Sequence, residues 1–176
     1  MKKGVVKKTV LSALFLAIGM VLPLFTGQIK EIGDSLLPMH IPVMLCGLLC
    51  GPGFGAAIGL GLPFLRSVTF GMPPIYPNAV WMALELATYG LVIGLASRGL
   101  KIKGVWNTYL SLIIAMLSGR VVWGIAKAVL LGVGGKAFTV SMFIVGGFVD
   151  AAIGILLQLI LIPTVVVLVK KLQRRD

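Results

Sequence analysis

Residues 97–132 decide the fold; they read SRGLKIKG, followed by VWNTYLSLIIAMLSGRVVWGIAKAVLLG. The first segment carries Arg98, Lys101 and Lys103, and the second is a long apolar run over residues 105–132. A run of about 20 predominantly apolar residues is long enough to cross the hydrocarbon core of a bilayer as a helix. The stretch therefore predicts a membrane-spanning helix that begins beside a basic segment.

Similar apolar runs lie on both sides of this stretch, separated by Gly, Pro or charged residues. Together they predict six spans, at about 8–26, 40–51, 53–70, 77–97, 105–132 and 139–169. The second run is short for a full span and ends at a Gly-Pro-Gly turn, whereas the sixth is long enough to tilt. We therefore expect an all-α membrane protein whose residues 1–176 form a single integral-membrane domain.

The composition disfavours a soluble all-helical protein. Hydrophobic residues make up 59% of the chain and charged residues 12%, and the mean hydropathy is +1.08. Soluble domains carry about 25% charged residues. The charged side chains of this protein are too few to cover a water-exposed surface of its size.

The basic residues are distributed as in a membrane protein. The net charge is +11, and most of the 16 Lys and Arg residues lie in three clusters, at residues 2–8, 98–103 and 170–175. With the N-terminus in the cytoplasm, six spans place all three clusters on the cytoplasmic side, as the positive-inside rule requires. Five or seven spans would place at least one cluster outside. The clusters flank apolar runs and form no stripe typical of nucleic-acid binding.

Two local features are interpreted structurally. The first apolar segment, residues 9–25, follows a basic start but is longer than a typical signal-peptide core, so we expect a retained helix. Cys46 and Cys50 are four residues apart in an apolar run, where disulfide geometry is poor and further metal ligands are lacking. We expect packed free thiols there, and no metal or cofactor.

Polar side chains inside the spans are costly in lipid, and each is therefore a candidate for function. A rise of about 1.5 Å per helical residue places nearly all of them in the outer half of the membrane or at its midplane, and leaves Gln158 almost alone in the inner half. This asymmetry predicts a pocket open to the outside. Its candidate substrate-binding residues are His40, Arg66, Asn78, Trp81, Glu85, Arg120, Trp123, Lys127 and Asp150.

Arg120, Trp123 and Lys127 recur at i, i+3 and i+7 and should line one face of the fifth span. An aromatic ring between two cations suits a flat or carboxylate-bearing ligand. The alternative is that the charges pair internally, for example Asp150 with Arg120 and Glu85 with Arg66 or Lys127. The lone histidine, next to two prolines, is either a loop anchor or a ligand contact.

Small residues at four-residue spacing predict close helix packing. Two such series are present, Gly47, Gly51, Gly55 and Gly59 in spans two and three and Gly90 and Gly94 in span four. The first span carries a further pair in ALFLA over residues 13–17, where Ala13 and Ala17 share one face. That flat strip could pack inside the protein or against a partner subunit.

These features resemble the S components of energy-coupling-factor (ECF) transporters, the membrane subunits that bind substrate. The resemblance covers essentially the whole chain: a short basic N-terminus, AxxxA in the first helix and six spans in under 200 residues. It is most specific in the segments LPMHIPVMLCG (37–47), GPGFG (51–55), PFLRS (63–67), FGMPP (70–74) and MALELATYG (82–90).

The resemblance implies a six-helix subunit of a bacterial cell membrane that binds one vitamin or related micronutrient beneath its first and third loops and is not an enzyme. Its partners would be a transmembrane coupling subunit, which docks on Ala13 and Ala17, and two ATPases. The chain itself has no GxxxxGK[ST] phosphate loop. A pantothenate-like carboxylate would suit Arg120 and Lys127. The alternatives are a queuosine-type or other nitrogenous base, a self-contained small transporter, and a membrane assembly subunit that binds no ligand.

Overall fold

A computed structural model describes residues 3–26, 35–102 and 104–172 of the chain, and none of these residues lies in a β-strand. Seven α-helices follow one another along the described chain. They are α1 (Lys3–Val21), α2 (His40–Leu49), α3 (Pro52–Phe70), α4 (Val80–Gly99), α5 (Val105–Val133), α6 (Val140–Ile144) and α7 (Ala152–Leu172).

Short turns of tighter or wider helix extend three of these segments. A 3-10 turn, Leu22–Thr26, continues α1, and a π turn, Ile75–Ala79, leads into α4. A second π turn, Val145–Val149, follows α6 and precedes α7. The six predicted spans therefore correspond to six helical segments, which confirms the predicted all-α membrane fold.

Five of the six segments are long and apolar enough to cross a membrane. The second, α2, has only ten residues and is about 15 Å long. It ends at Leu49, two residues earlier than the sequence indicated, because Gly51 adopts a φ of 115° that favours glycine and Pro52 occupies the first turn of α3.

Helix α4 is the centre of the bundle. It packs against α2, α3 and α5, while α1 covers α2 and α3, and α7 lies against α5 and α2. The buried core runs along these contacts and is formed mainly by Val43, Met44, Leu62, Leu86, Ile93 and Leu112. The two cysteines are buried free thiols in this core, and the Cys46 thiol donates to the Ser12 hydroxyl of α1 over 3.5 Å.

Glycines let the backbones of α2, α3 and α4 touch. A Cβ atom on Gly55 would lie 2.6 Å from the carbonyl oxygen of Gly90, and one on Gly94 would lie 2.6 Å from the nitrogen of Pro52. Gly47 and Gly59 likewise face the backbone of α4, at Gly90 and Leu86. No side chain fits between these helices, so glycine at these positions sets how closely they approach. Gly51 differs from them, since it forms the turn and faces the guanidinium of Arg98.

Replacing Gly90 with alanine should destabilise the protein by about 1–3 kcal/mol, because the new methyl group would be forced against the backbone of α3. Gly61→Ala is the matched control, since a Cβ there meets no atom within 4 Å. Thermal unfolding in detergent measures the difference. Equal midpoint temperatures of unfolding for the two variants would contradict the backbone contact between α3 and α4.

Candidate functional site

Three buried polar side chains converge on one carboxylate oxygen of a fourth buried residue, Glu85, in the middle of the bundle. Arg120 donates to Oε1 of Glu85 over 3.0 Å, the Tyr89 hydroxyl donates to the same oxygen over 3.2 Å, and Nε2 of His40 lies 3.5 Å from it. Each of the four residues is less than 5% exposed. We call His40, Glu85, Tyr89 and Arg120 the Glu85 cluster.

Three helices build the Glu85 cluster. Glu85 and Tyr89 stand one turn apart on α4 and so share a face. Arg120 comes from the middle of α5, and His40 is the first residue of α2. The ring of His40 also packs edge-on against Tyr89, with ring centroids 5.1 Å apart.

The short length of α2 explains how its first residue reaches the core. The chain just before α2 packs into the bundle, where a Cβ on Gly154 of α7 would lie 2.7 Å from the carbonyl oxygen of Ser35. Leu37 adopts a positive φ of 51° there, and its carbonyl accepts the backbone N–H of His40 over 3.1 Å. His40 is therefore a buried member of the cluster, at the junction of this segment with α2. Its role as a ligand contact stays a prediction.

The Glu85 cluster contains an ion pair but is incompletely hydrogen-bonded. The charge of Glu85 is balanced by Arg120, which offsets much of the cost of burying both groups. Nη2 of Arg120 and both ring nitrogens of His40 have no hydrogen-bond partner among the described residues. Because buried polar groups are nearly always paired, these atoms mark positions where a ligand could bind.

A layer of aromatic rings surrounds Lys127 next to the cluster. Its ammonium lies 4.5 Å from the Trp123 ring centroid, 5.5 Å from that of Trp81 and 5.6 Å from that of Phe138. The Arg120 guanidinium is 5.8 Å from the Trp123 ring. Arg120, Trp123 and Lys127 thus form one continuous row on α5, as their spacing predicts. We call Trp81, Trp123, Lys127 and Phe138 the aromatic layer.

A cavity of about 160 Å³ adjoins the Glu85 cluster between α5 and α7. Three polar side chains line it, those of Tyr89, Arg120 and Gln158. Gln158 is 1% exposed, and its Nε2 has no hydrogen-bond partner among the described residues. The remaining walls are apolar and consist of Ile113, Met116, Leu117, Phe148, Ile155 and Leu159.

Some candidate residues from the sequence lie elsewhere. Arg66 is buried against α1, where it donates to the carbonyl of Met20, and its guanidinium lies 5.1 Å from the Phe70 ring centroid. Asp150 is exposed just before α7 and forms no ion pair with a described side chain, and Asn78 is half-buried in the π turn before α4. A site that includes these three residues stays a prediction.

Internal pairing of the charges, which the sequence left open as the alternative to ligand binding, occurs among the described residues, but with a different partner from the examples given. Glu85 pairs with Arg120, Arg66 donates to the carbonyl of Met20, and Asp150 is exposed. The pairing depends on how α4 and α5 are rotated against each other, which residue spacing within one helix does not specify. No three of the described His, Cys, Asp and Glu side chains lie close enough to hold a metal ion.

Sequence reasoning missed three residues of this region. The sequence pattern could have identified Tyr89, since it lies four residues after Glu85 on the same helix. It could also have identified Gln158, which is the only polar residue in an otherwise apolar stretch of α7. No pattern pointed to Phe138, because it lies in the connection between α5 and α6.

The paired alanines of α1 are exposed. Ala13 and Ala17 point away from the bundle, whereas Ser12, Phe15 and Gly19 form the buried face of the same helix. The strip is therefore unused by packing within the described protein.

The Glu85–Arg120 pair should show strong energetic coupling. Glu85→Gln and Arg120→Met should each cost about 3–5 kcal/mol of unfolding free energy, because each leaves the partner charge buried without compensation. The double variant should lose clearly less than the sum of the two losses, by at least about 1 kcal/mol. Denaturation in mixed micelles measures the unfolding free energies of the two single variants and of the double variant.

Arg66→Met serves as the control for this cycle. It removes another buried arginine, but one that makes no contact with Glu85. The loss of unfolding free energy caused by Arg66→Met should therefore add to the loss caused by Glu85→Gln. Additive losses for the Glu85 and Arg120 variants would contradict a direct ion pair.

The comparisons with known proteins agree with this picture. A family model described as ECF transporter, substrate-specific component, matches residues 7–166 and so covers every residue of the Glu85 cluster and of the aromatic layer. No curated protein and no solved structure matches the chain. The resemblance read from the sequence is thereby confirmed. This multi-pass membrane protein belongs to the family of substrate-specific components of ECF transporters.

Proposed function

We propose that the chain captures a vitamin or related micronutrient from outside a bacterial cell and delivers it inward together with an ECF coupling subunit and two ATPases. The Glu85 cluster carries this proposal. It is a buried polar group, costly in lipid, that has donors without acceptors and lies between an aromatic layer and a cavity. A ligand that supplies acceptors would complete its hydrogen bonding.

A pantothenate-like carboxylate is the substrate that we favour. The ammonium of Lys127 lies in the aromatic layer, where a cation and a ring face together suit an anionic or flat group. Glu85 is already balanced by Arg120 and has less capacity to attract an amine. The cationic row on α5 therefore supports an anionic substrate.

A queuosine-type or other nitrogenous base is the second candidate. The observation in its favour is the pair of indole rings, Trp81 and Trp123, which both lie close to the ammonium of Lys127 and could stack on a flat ligand. In this alternative the exposed carboxylate of Asp150 would have to reach the amine of the ligand.

Docking of the coupling subunit is assigned to the exposed strip formed by Ala13 and Ala17. Small side chains let two helix backbones approach closely in lipid, where packing is a main source of association energy. The strip is free of contacts from the other described helices, and the basic residues Lys7 and Lys8 are exposed just before it. These features support a helix–helix contact near the predicted cytoplasmic side.

Native mass spectrometry of the purified protein tests the proposed function directly. We expect a small molecule to co-purify, and its mass to match a vitamin or a close analogue. A protein without bound ligand that also gives no thermal shift with a vitamin panel would contradict substrate capture and favour an assembly subunit.

Lys127→Met should weaken binding of an anionic vitamin at least about tenfold, because a charge-assisted hydrogen bond would be lost. An uncharged analogue of the same vitamin should bind as before. Lys136→Met is the control, since that lysine is exposed beyond the end of α5. Calorimetric titration measures the affinities, and equal weakening of charged and uncharged ligands would argue against carboxylate recognition.

Ala13→Trp should abolish uptake in proteoliposomes that contain the coupling subunit and the ATPases, because the indole would hold the two helices apart. Binding of the vitamin to the isolated protein should be unchanged. Val121→Trp is the control, because Val121 is a comparably exposed apolar residue on α5. Simultaneous loss of uptake and binding in Ala13→Trp would refute the docking assignment.

A further inference from the structure

We propose that the cavity between α5 and α7 receives an uncharged, ring-sized part of the substrate, apolar except for one hydrogen-bond acceptor such as an amide or lactam carbonyl. Gln158 and Arg120 donate to that acceptor. The inference rests on the proposed function, since it assigns a substrate class to the same site.

Two side chains in the wall of the cavity carry buried hydrogen-bond donors that lack acceptors. Gln158 and Arg120 line the cavity, and Nε2 of Gln158 and Nη2 of Arg120 are buried and have no hydrogen-bond partner among the residues that the structure describes. Tyr89, the third polar residue in the wall, already donates its hydroxyl to Glu85. A buried donor without an acceptor is destabilising, so an occupant that accepts from both side chains is favoured over an apolar one.

The charge of the surroundings selects an uncharged acceptor. Glu85 lies 3.0 Å from Arg120 and balances its charge. A carboxylate in the cavity would add an uncompensated negative charge among apolar side chains, which is costly. An amine would meet the guanidinium of Arg120, which repels a cation, and the amide oxygen of Gln158 would be its main acceptor. An uncharged part of the substrate is therefore assigned to the cavity.

The volume indicates the size of the part that the cavity can hold. The cavity measures about 160 Å³ and is partly open, since Leu117 is 54% exposed and Phe148 38%. An engineered apolar cavity of about 150 Å³ in another protein binds benzene, so one six-membered ring or a branched group of similar size fits here. The walls from Met116, Phe148 and Ile155 supply apolar contact for such a group.

The test uses the full chain in nanodiscs and three small ring compounds of similar size. δ-Valerolactam carries an uncharged carbonyl acceptor, cyclohexanecarboxylate carries a charged one, and methylcyclohexane carries none. Saturation-transfer NMR titrations measure their affinities. We expect the lactam to bind at least tenfold more tightly than either of the other compounds.

Two variants and a control locate the binding. Gln158→Met keeps the length of the side chain but removes its donor, and should weaken the lactam about tenfold. Ile155→Phe should abolish binding by filling the cavity. Thr164→Val removes a polar group from the same helix, but one that donates only to the carbonyl of Ile160, and should change nothing.

Each outcome decides the proposal. Equal binding of lactam and methylcyclohexane, or preferred binding of the carboxylate, would overturn it, and both comparisons need only the unmodified protein. A vitamin that binds equally well to Gln158→Met and Ile155→Phe would also overturn it, while leaving the proposed function intact. Lactam binding as expected, in a protein that binds no vitamin and supports no uptake, would uphold the cavity assignment and contradict the proposed function.

Discussion

The ion pair between Glu85 and Arg120 is the contact on which the rest of the site depends. Each group alone would be prohibitively costly in the middle of a membrane protein, so the two helices that carry them must keep the rotation that joins them. Fixing α4 against α5 in this way also fixes where the neighbouring residues lie. Tyr89 is brought to the same oxygen, and the row from Arg120 to Lys127 is turned towards Trp81.

The glycine contacts explain how the third helix joins this pair. Gly47, Gly55 and Gly90 let the backbones of α2, α3 and α4 touch, and this close approach leaves α2 beside α4 along its short length. His40 can then reach Glu85 from the first residue of α2. Packing and polar chemistry are therefore coupled, because a wider spacing of these helices would withdraw the imidazole from the cluster.

Much of the fold could be predicted because it follows from properties of single segments. The apolar runs predicted the six helical segments, and the positions of the three basic clusters predicted an even number of spans. The row of Arg120, Trp123 and Lys127 was also predictable, since it needs only the period of one helix. The choice of Arg120 as the partner of Glu85, and the separate position of Arg66, depend on how different helices are rotated. One sequence does not contain that information in any local pattern.

The cavity adds a consequence for stability. Gln158 stands on α7, which packs chiefly against α5 and α2, whereas Arg120 stands on α5, close to the centre of the bundle. A ligand that accepts hydrogen bonds from both would join α7 to the centre of the bundle through additional contacts. Since a ligand stabilises the state that binds it, occupation of the cavity should hold α7 in place. The same donors that favour a ligand thus make the position of α7 sensitive to whether one is bound.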